Sequence, residues 1–240
     1  MGRRRKEAFD FQQFRVQHDR CAMKVGTDGV LLGAWVSVAG VTRALDVGTG
    51  SGVIALILAQ RTRGLAHVDG VEMREADALQ AQENVAASPW PHAVTIHNGR
   101  VQDFTGHAPY DLLVCNPPFF SNSFLPPTVA RQQVRHTQTL TANDLLLAAA
   151  RLLQPDGRLA VILPTREGDA CNQLAQAAGW HLVRTLAFFS RPGKAQERWL
   201  IEWSRKPASA QAQELYLYED DTPAWSKDYR ALTQDLYLPG

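Results

Sequence analysis

The sequence predicts an α/β fold built on an open, mostly parallel sheet. Three observations carry that expectation. Short apolar runs of strand length alternate with helical segments along the whole chain, the pattern of βαβ units. A glycine-rich turn, Asp46-Val-Gly-Thr-Gly-Ser-Gly52, joins one such run to an apolar helix. A later run, Asp111-Leu-Leu-Val-Cys115, reads as a fully buried strand and is stopped at Asn116 by Pro117 and Pro118. In an open sheet of this kind, ligands bind beyond the carboxyl ends of the strands.

Composition fits one soluble domain. The chain has 240 residues, 45% of them hydrophobic and 20% charged, with a net charge of +1. So small a net charge supplies no general polycation argument, and any nucleic-acid surface must come from local clustering. The cations to watch are Arg15, Arg20, Lys24, Arg131, Arg135, Arg191, Lys194 and Arg198. Cys21, Cys115 and Cys171 are widely spaced, without C-x-x-C. That argues against disulfides or a zinc site and fits a reducing cytoplasm. With no run of 18 apolar residues and no apolar N-terminal segment, neither a membrane span nor a signal peptide is expected.

Residues 1–6 are a cationic tail, solvated or reaching for phosphates. Phe9, Phe11, Phe14 and Val16 alternate with polar residues, with a slip between the pairs, and predict a short hairpin. Thr27 or Asp28 can cap a helix carrying Val30, Leu31, Leu32 and Trp35. Laid across the upper sheet edge, that helix turns Lys24, Thr27 and Asp28 toward a ligand. A simple cap and a surface lysine are the alternative. Residues 1–36 thus form an N-terminal extension and cap helix, and 37–240 the main domain.

Leu45 and Val47 belong to the first sheet strand, and Gly48, Gly50 and Gly52 to a tight loop that brings backbone N–H groups to a ligand. The dinucleotide fingerprint wants glycine or alanine three places after Gly50, where Val53 stands. Asp46 precedes the loop inside the strand end. A buried carboxylate needs a cationic or N–H partner, and a ligand ammonium would serve. Ala66 to Glu72 is the second strand; Glu72 lies 24 residues past Gly48, near the spacing of about 20 expected for a ribose-binding acid. Glu75 to Ala87 is a helix with Ala76, Leu79 and Ala86 inward. Ala93 to His97 is the third strand, and Asp103 beyond it either accepts from an adenine amino group or is an ordinary turn acid.

After the Asn116 strand, residues 119–140 show no clean period, and a loop of that length is usually functional or disordered. Arg135 within it is a solvated charge or a lid contact to substrate phosphates. Thr141 caps a helix, Gly157 onward is the fifth strand, Asp169 to Ala178 is a helix closed by Gly179, and His181–Phe189 and Glu197–Trp203 are two further strands. The aromatic and acidic C-terminal segment is expected to pack against the sheet edge.

Together, Asp46-Val-Gly-Thr-Gly-Ser-Gly52 and Asn116-Pro-Pro-Phe119 resemble the class I S-adenosylmethionine-dependent methyltransferases that methylate amines. The block from Phe14 through Gln17-His-Asp-Arg-Cys-Ala-Met-Lys24 to Trp35 is more specific. With Arg135-His-Thr137 and Asp235-Leu-Tyr-Leu238, it resembles the bacterial tRNA1(Val) adenine-37 N6-methyltransferase family. The resemblance spans roughly residues 8–238. It implies a Rossmann-like, seven-stranded sheet with the last strand antiparallel, S-adenosylmethionine as cofactor and tRNA as partner, with no metal. It places Asp46, Gly48 and Gly50 at the methionine part of the cofactor, Glu72 at the ribose and Asp103 at the adenine. Lys24, Thr27 and Asn116 come near the cofactor, and Asn116 to Phe119 lie at the target base.

An adenine amine is a poor nucleophile because its lone pair is delocalised into the ring. The Asn116 side-chain oxygen and the Pro117 carbonyl can accept both N6–H bonds and localise that pair, while Phe119 stacks on the base beside Pro118. The same motif suits guanine N2 of ribosomal RNA, DNA adenine or a protein glutamine amide. A non-catalytic nucleotide-binding module and an NAD-dependent oxidoreductase are further alternatives, both disfavoured by Val53 and the Asn-Pro-Pro-Phe motif.

Overall fold

The chain opens on the expected hairpin in the computed structural model, which describes residues 7–106, 109–117, 140–219 and 222–238. β1 (Ala8–Asp10) pairs antiparallel with β2 (Arg15–Gln17). The slip in the alternation is the turn, where the Phe11 N–H donates to the Phe14 carbonyl at 2.8 Å and the two rings stack at 4.5 Å. Tyr237 from the C-terminal segment bridges to Phe11 and closes the aromatic cluster.

α1 (Thr27–Trp35) is buried from Gly29 to Trp35, as befits a helix that is apolar all round. Its N-cap is Gly26, without a side-chain cap. Neither Thr27 nor Asp28 caps it, because the extended residue falls one place earlier and both lie within the first turn. At the other end three guanidinium groups take the terminal carbonyls. Arg61 donates to Gly33 and Val36, Arg184 to Trp35, and Arg158 to Ser37. Cations are favoured at this negative end of a helix, and Arg158 and Arg184 also share the buried Glu202 carboxylate.

The main sheet gathers β3 (Arg43–Val47), β4 (His67–Glu72), β5 (Val94–Asn98), β6 (Tyr110–Cys115), β7 (Leu153–Pro164), β8 (His181–Phe189), β9 (Gln196–Ser204) and β10 (Gln211–Tyr216). Their order is β10-β8-β9-β7-β6-β3-β4-β5. Only β9 runs antiparallel, between β7 and β8. The expected seven strands are thus present with the seventh reversed, and β10 adds an eighth, parallel to β8 at the edge. This is where the aromatic C-terminal segment was expected to pack.

Successive strand residues feed two cores, as a sheet covered on both faces requires. Ala44, Leu112 and Val114 pack under α1, α2 (Val53–Arg61) and α3 (Glu75–Ala86). Leu45, Val47, Leu113 and Cys115 pack under α4 (Ala142–Leu152) and α5 (Thr165–Ala177). The Thr141–Asp144 capping box starts α4. α5 begins four residues before the expected Asp169, and Gly168 lets it approach β9, since a Cβ there would stand 2.8 Å from Trp199. The short α6 (Lys227–Thr233) completes the chain.

In α3 the inward face differs from expectation. Ala76, Leu79 and Ala86 are exposed, while Ala78, Ala81 and Val85 are buried together with Asp77, Gln80 and Asn84. The helix buries polar residues because it packs against backbone from the N-terminal segment as well as against the sheet. Among the described residues, no helix is long and apolar enough to cross a membrane.

Candidate active site

The site begins where β3 ends. Gly48, Gly50 and Gly52 all adopt positive φ (+70°, +55° and +82°), a region only glycine enters without strain. A Cβ at Gly48 or Gly50 would meet nothing within 4 Å. These two glycines are needed for the turn, which leaves an open face of backbone at the top of the sheet. Gly48 N–H is tied down to the Val71 carbonyl at 2.8 Å.

Asp46 lies beneath this loop, fully buried, and is not part of the cleft lining. Its Oδ2 accepts from Thr49 Oγ1 at 2.6 Å and from the Ala55 N–H at 3.2 Å, so it holds both the loop and the start of α2. Its Oδ1 has no partner among the described residues. Burial pushes the carboxyl up to about 7. An orphaned carboxylate oxygen under the loop suits a ligand that brings positive charge there.

Glu72 ends β4 beside the loop. Its Oε2 accepts the Gly50 N–H at 3.0 Å and its Oε1 the Arg74 N–H at 2.9 Å. A carboxylate has about four lone-pair sites, so capacity remains for hydroxyls. Gly48, Gly50 and Glu72 form one wall of a cleft of about 630 Å³, a size suited to a bound cofactor. The floor is Val47, Val71 and Cys115 at the carboxyl ends of β3, β4 and β6.

The N-terminal segment supplies the opposite wall with Ala22, Met23, Lys24 and the first turn of α1, including Thr27 and Asp28. The Lys24 ammonium donates to the carbonyls of His18 and Asp19, which folds this segment back on itself. Asn116 enters the cleft just past β6, near Gly29 of α1, and Pro117 behind it is buried.

Lys24, Thr27, Gly48, Gly50, Glu72 and Asn116 therefore share one cleft, with Asp46 directly beneath it. Asp103 does not line it. That residue is exposed and faces an adjoining shallower cavity of about 510 Å³ with His97 and Phe104. The cleft edge at this level is Gly99 to Gln102. Pro118, Phe119 and Arg135 lie outside the described residues.

Of the cations singled out in the sequence, Lys24 and Arg198 line the cleft. Arg15 pairs with Asp10, Arg20 with Glu83, and Arg191 lies over the Tyr218 ring. Arg131 is also outside the described residues. Arg74 and Arg100 line the cleft without having been anticipated. Arg198 donates to Asp28 Oδ2 at 2.9 Å. Its strand runs against the others, so its N-terminal end reaches the ligand edge, and no local sequence signal marks that. Met73 was findable, because it directly follows Glu72.

Compared with known proteins, residues 26–179 match the family model of the methyltransferase small domain. The tRNA1(Val) (adenine(37)-N6)-methyltransferase of Tolumonas auensis is 44% identical over 232 residues, covering 96% of this chain and 97% of that protein. The enzyme of the same name from Citrobacter koseri is 43% identical, covering 98% and 96%. Among solved structures, a predicted O-methyltransferase from Agrobacterium tumefaciens superposes with a TM-score of 0.68 at 18% identity, over 87% of this chain and 96% of that one. A protein from Listeria monocytogenes described as a class I S-adenosylmethionine-dependent methyltransferase gives 0.57 at 13% identity, over 86% and 68%. At such identities the two structures speak to the fold.

Proposed function

This chain belongs to the methyltransferase small domain family and, within it, to the tRNA1(Val) (adenine(37)-N6)-methyltransferases, and we propose on that premise that it methylates N6 of adenine 37 in the anticodon loop of tRNA1(Val), in the cytoplasm. One observation supports this reading above the others. The glycine loop with Glu72 and the Asn116 end of β6 open into the same cleft, so a donor wall and an amine-accepting residue share one space.

The cofactor, S-adenosylmethionine, supplies a methyl group on a sulfonium, which is a good leaving group. Gly48 and Gly50 present open backbone to its methionine part, with the orphan Asp46 Oδ1 below as a counter-charge for its ammonium. Glu72 accepts from the ribose hydroxyls. Val71 and Met73 give apolar surface beside it, and the cleft edge at Gly99 to Gln102, with Asp103 just outside, serves the adenine.

On the acceptor side, Asn116 Oδ1 and the Pro117 carbonyl accept the two N6–H bonds. That draws the amine toward tetrahedral geometry and frees its lone pair. Acceptors held in place before reaction stabilise developing charge without reorganising; the donor would leave as a neutral thioether and the methylated amine would shed one N6 proton to solvent, so positioning is the main task. Phe119 stacks on the extruded base, worth ~1–3 kcal/mol, against the few kcal/mol that extrusion costs. Arg135 meets backbone phosphates of the loop.

The test is incubation of the purified protein with a bulk tRNA pool and methyl-labelled S-adenosylmethionine, followed by nucleoside analysis and site mapping. The expected product is N6-methyladenosine at position 37 of one tRNA. Label in guanine N2, or transfer to added ribosomal RNA, DNA or protein in preference to tRNA, would overturn the substrate assignment, and no transfer at all would overturn the activity.

A further inference from the structure

The buried polar face of α3 reads the N-terminal segment one turn at a time. Asn84 Oδ1 accepts the Gln17 N–H at 2.9 Å, and Asn84 Nδ2 donates to the Gln17 carbonyl at 2.8 Å. One turn earlier, Gln80 Oε1 accepts the Arg20 N–H at 3.0 Å and Gln80 Nε2 donates to Asp19 Oδ1. One turn earlier again, Asp77 Oδ2 accepts the Ala22 N–H at 3.2 Å. The three residues fall on one helical face, and the strap of residues 17–22 runs antiparallel to the helix. Beyond Ala22 this strap becomes the cleft wall at Met23 and Lys24.

Asn84 makes one bond more. Nδ2 also donates to the carbonyl of Ser51, inside the glycine loop, at 2.9 Å. An amide offers two N–H donors, and Asn84, 2% exposed, spends one on the strap and one on the loop. No other α3 side chain among the described hydrogen bonds touches both. We propose that Asn84 is a positioning residue that fastens the strap to the glycine loop, so that cofactor binding at the loop and ordering of the strap are coupled. This rests on the cleft being the S-adenosylmethionine site. It gives a reason for the Gln17–Lys24 block to accompany the glycine loop: the block is the second half of the cleft, registered to the first through one amide.

Hydrogen exchange of the 15–21 segment, with and without S-adenosylmethionine, tests the coupling in the intact protein. Gln17 and Arg20 lie outside the cleft lining, so any protection they gain must be transmitted. In the wild type the cofactor slows their exchange. In Asn84→Ala that gain is lost and the Kd for S-adenosylmethionine rises about tenfold, the size expected for the one of its three bonds that reaches the loop, to Ser51, while cofactor protection of residues 48–52 remains. Should Asn84→Ala fail to fold, Asn84→Asp keeps the acceptor for the Gln17 N–H and sets a carboxylate oxygen against two carbonyls, with the same loss expected. Protection of 15–21 that survives either variant, or that is absent from a wild type that binds the cofactor, overturns the coupling alone. A wild type that does not bind S-adenosylmethionine overturns the cleft assignment with it.

Discussion

Glu72 Oε2 accepts the Gly50 N–H at 3.0 Å, joining the acid that ends β4 to the loop that follows β3. The two elements, which line one cleft, are thereby tied into one lip. Glu72→Ala removes this bond and the one to Arg74, together with the acceptor proposed for the ribose. Affinity for S-adenosylmethionine, read by calorimetry, should fall by roughly 10- to 100-fold, matching the ~1.5–3 kcal/mol of a hydrogen bond to a charged group.

Asn116→Ala should separate chemistry from binding. Loss of a preorganised acceptor lowers the methyl-transfer rate by about 10²–10³, with cofactor affinity near normal. Single-turnover transfer to tRNA, measured beside calorimetry on the same preparation, checks this. A parallel loss of both would move Asn116 to the cofactor side of the cleft.

Phe119→Ala should raise the KM for tRNA by roughly ten- to a hundredfold through lost stacking. Cofactor affinity should hold. Steady-state kinetics with tRNA as the varied substrate decide it, and unchanged constants would remove Phe119 from the base site.

Asp46 makes stability depend on pH. Its folded-state pKa of about 7 lies above the ordinary carboxyl value of about 3.9, so the folded protein holds this proton more tightly than the unfolded chain does. The stabilisation is fully present below about pH 4 and is lost as pH rises through about 7. Denaturant titrations of the ligand-free protein across that window should show wild-type stability falling relative to Asp46→Asn. Affinity for an ammonium-bearing ligand should rise over the same window as the carboxylate forms. A flat difference between the two proteins would refute the assignment.

Tyr110 and Asp69 are both fully buried, and the phenol donates to Asp69 Oδ2 at 2.6 Å. Tyr110→Phe takes one buried donor from that oxygen and costs ~1–3 kcal/mol. For a chain of this size the melting temperature should drop by about 2–12 °C. Methyl transfer below the transition should be retained, because neither group lines the main cleft.

Much of this architecture can be read from the chain itself, for identifiable reasons. β3 and β6 are short, largely apolar runs, closed by Gly48 and by Asn116-Pro117, and such strands carry their own limits. The glycine loop is legible because its backbone conformation admits almost nothing else. α3 is misread because Asp77, Gln80 and Asn84 bond to strap backbone, which inverts the usual link between polarity and exposure. Asp103 sits at the expected distance past β5, yet a tight turn, in which its N–H donates to the Arg100 carbonyl at 3.1 Å, carries it to the neighbouring cavity. Arg198 reaches the cleft only because β9 is reversed, which follows from the pairing of strands far apart in sequence.

The arginines at the far end of α1 have a mechanical consequence. Arg61, Arg158 and Arg184 arrive from three different elements and clamp the backbone of Gly33 to Ser37. The opposite end, at Gly26, has no side-chain cap and stands in the cleft, steadied by the mostly buried pair of Asp28 and Arg198. α1 is thus a cantilever, built in at its root and loaded at its tip. Three arginines tie the root and one ion pair the tip, so a ligand that displaced Arg198 would loosen the beam at the end facing the cleft and leave its buried length in place.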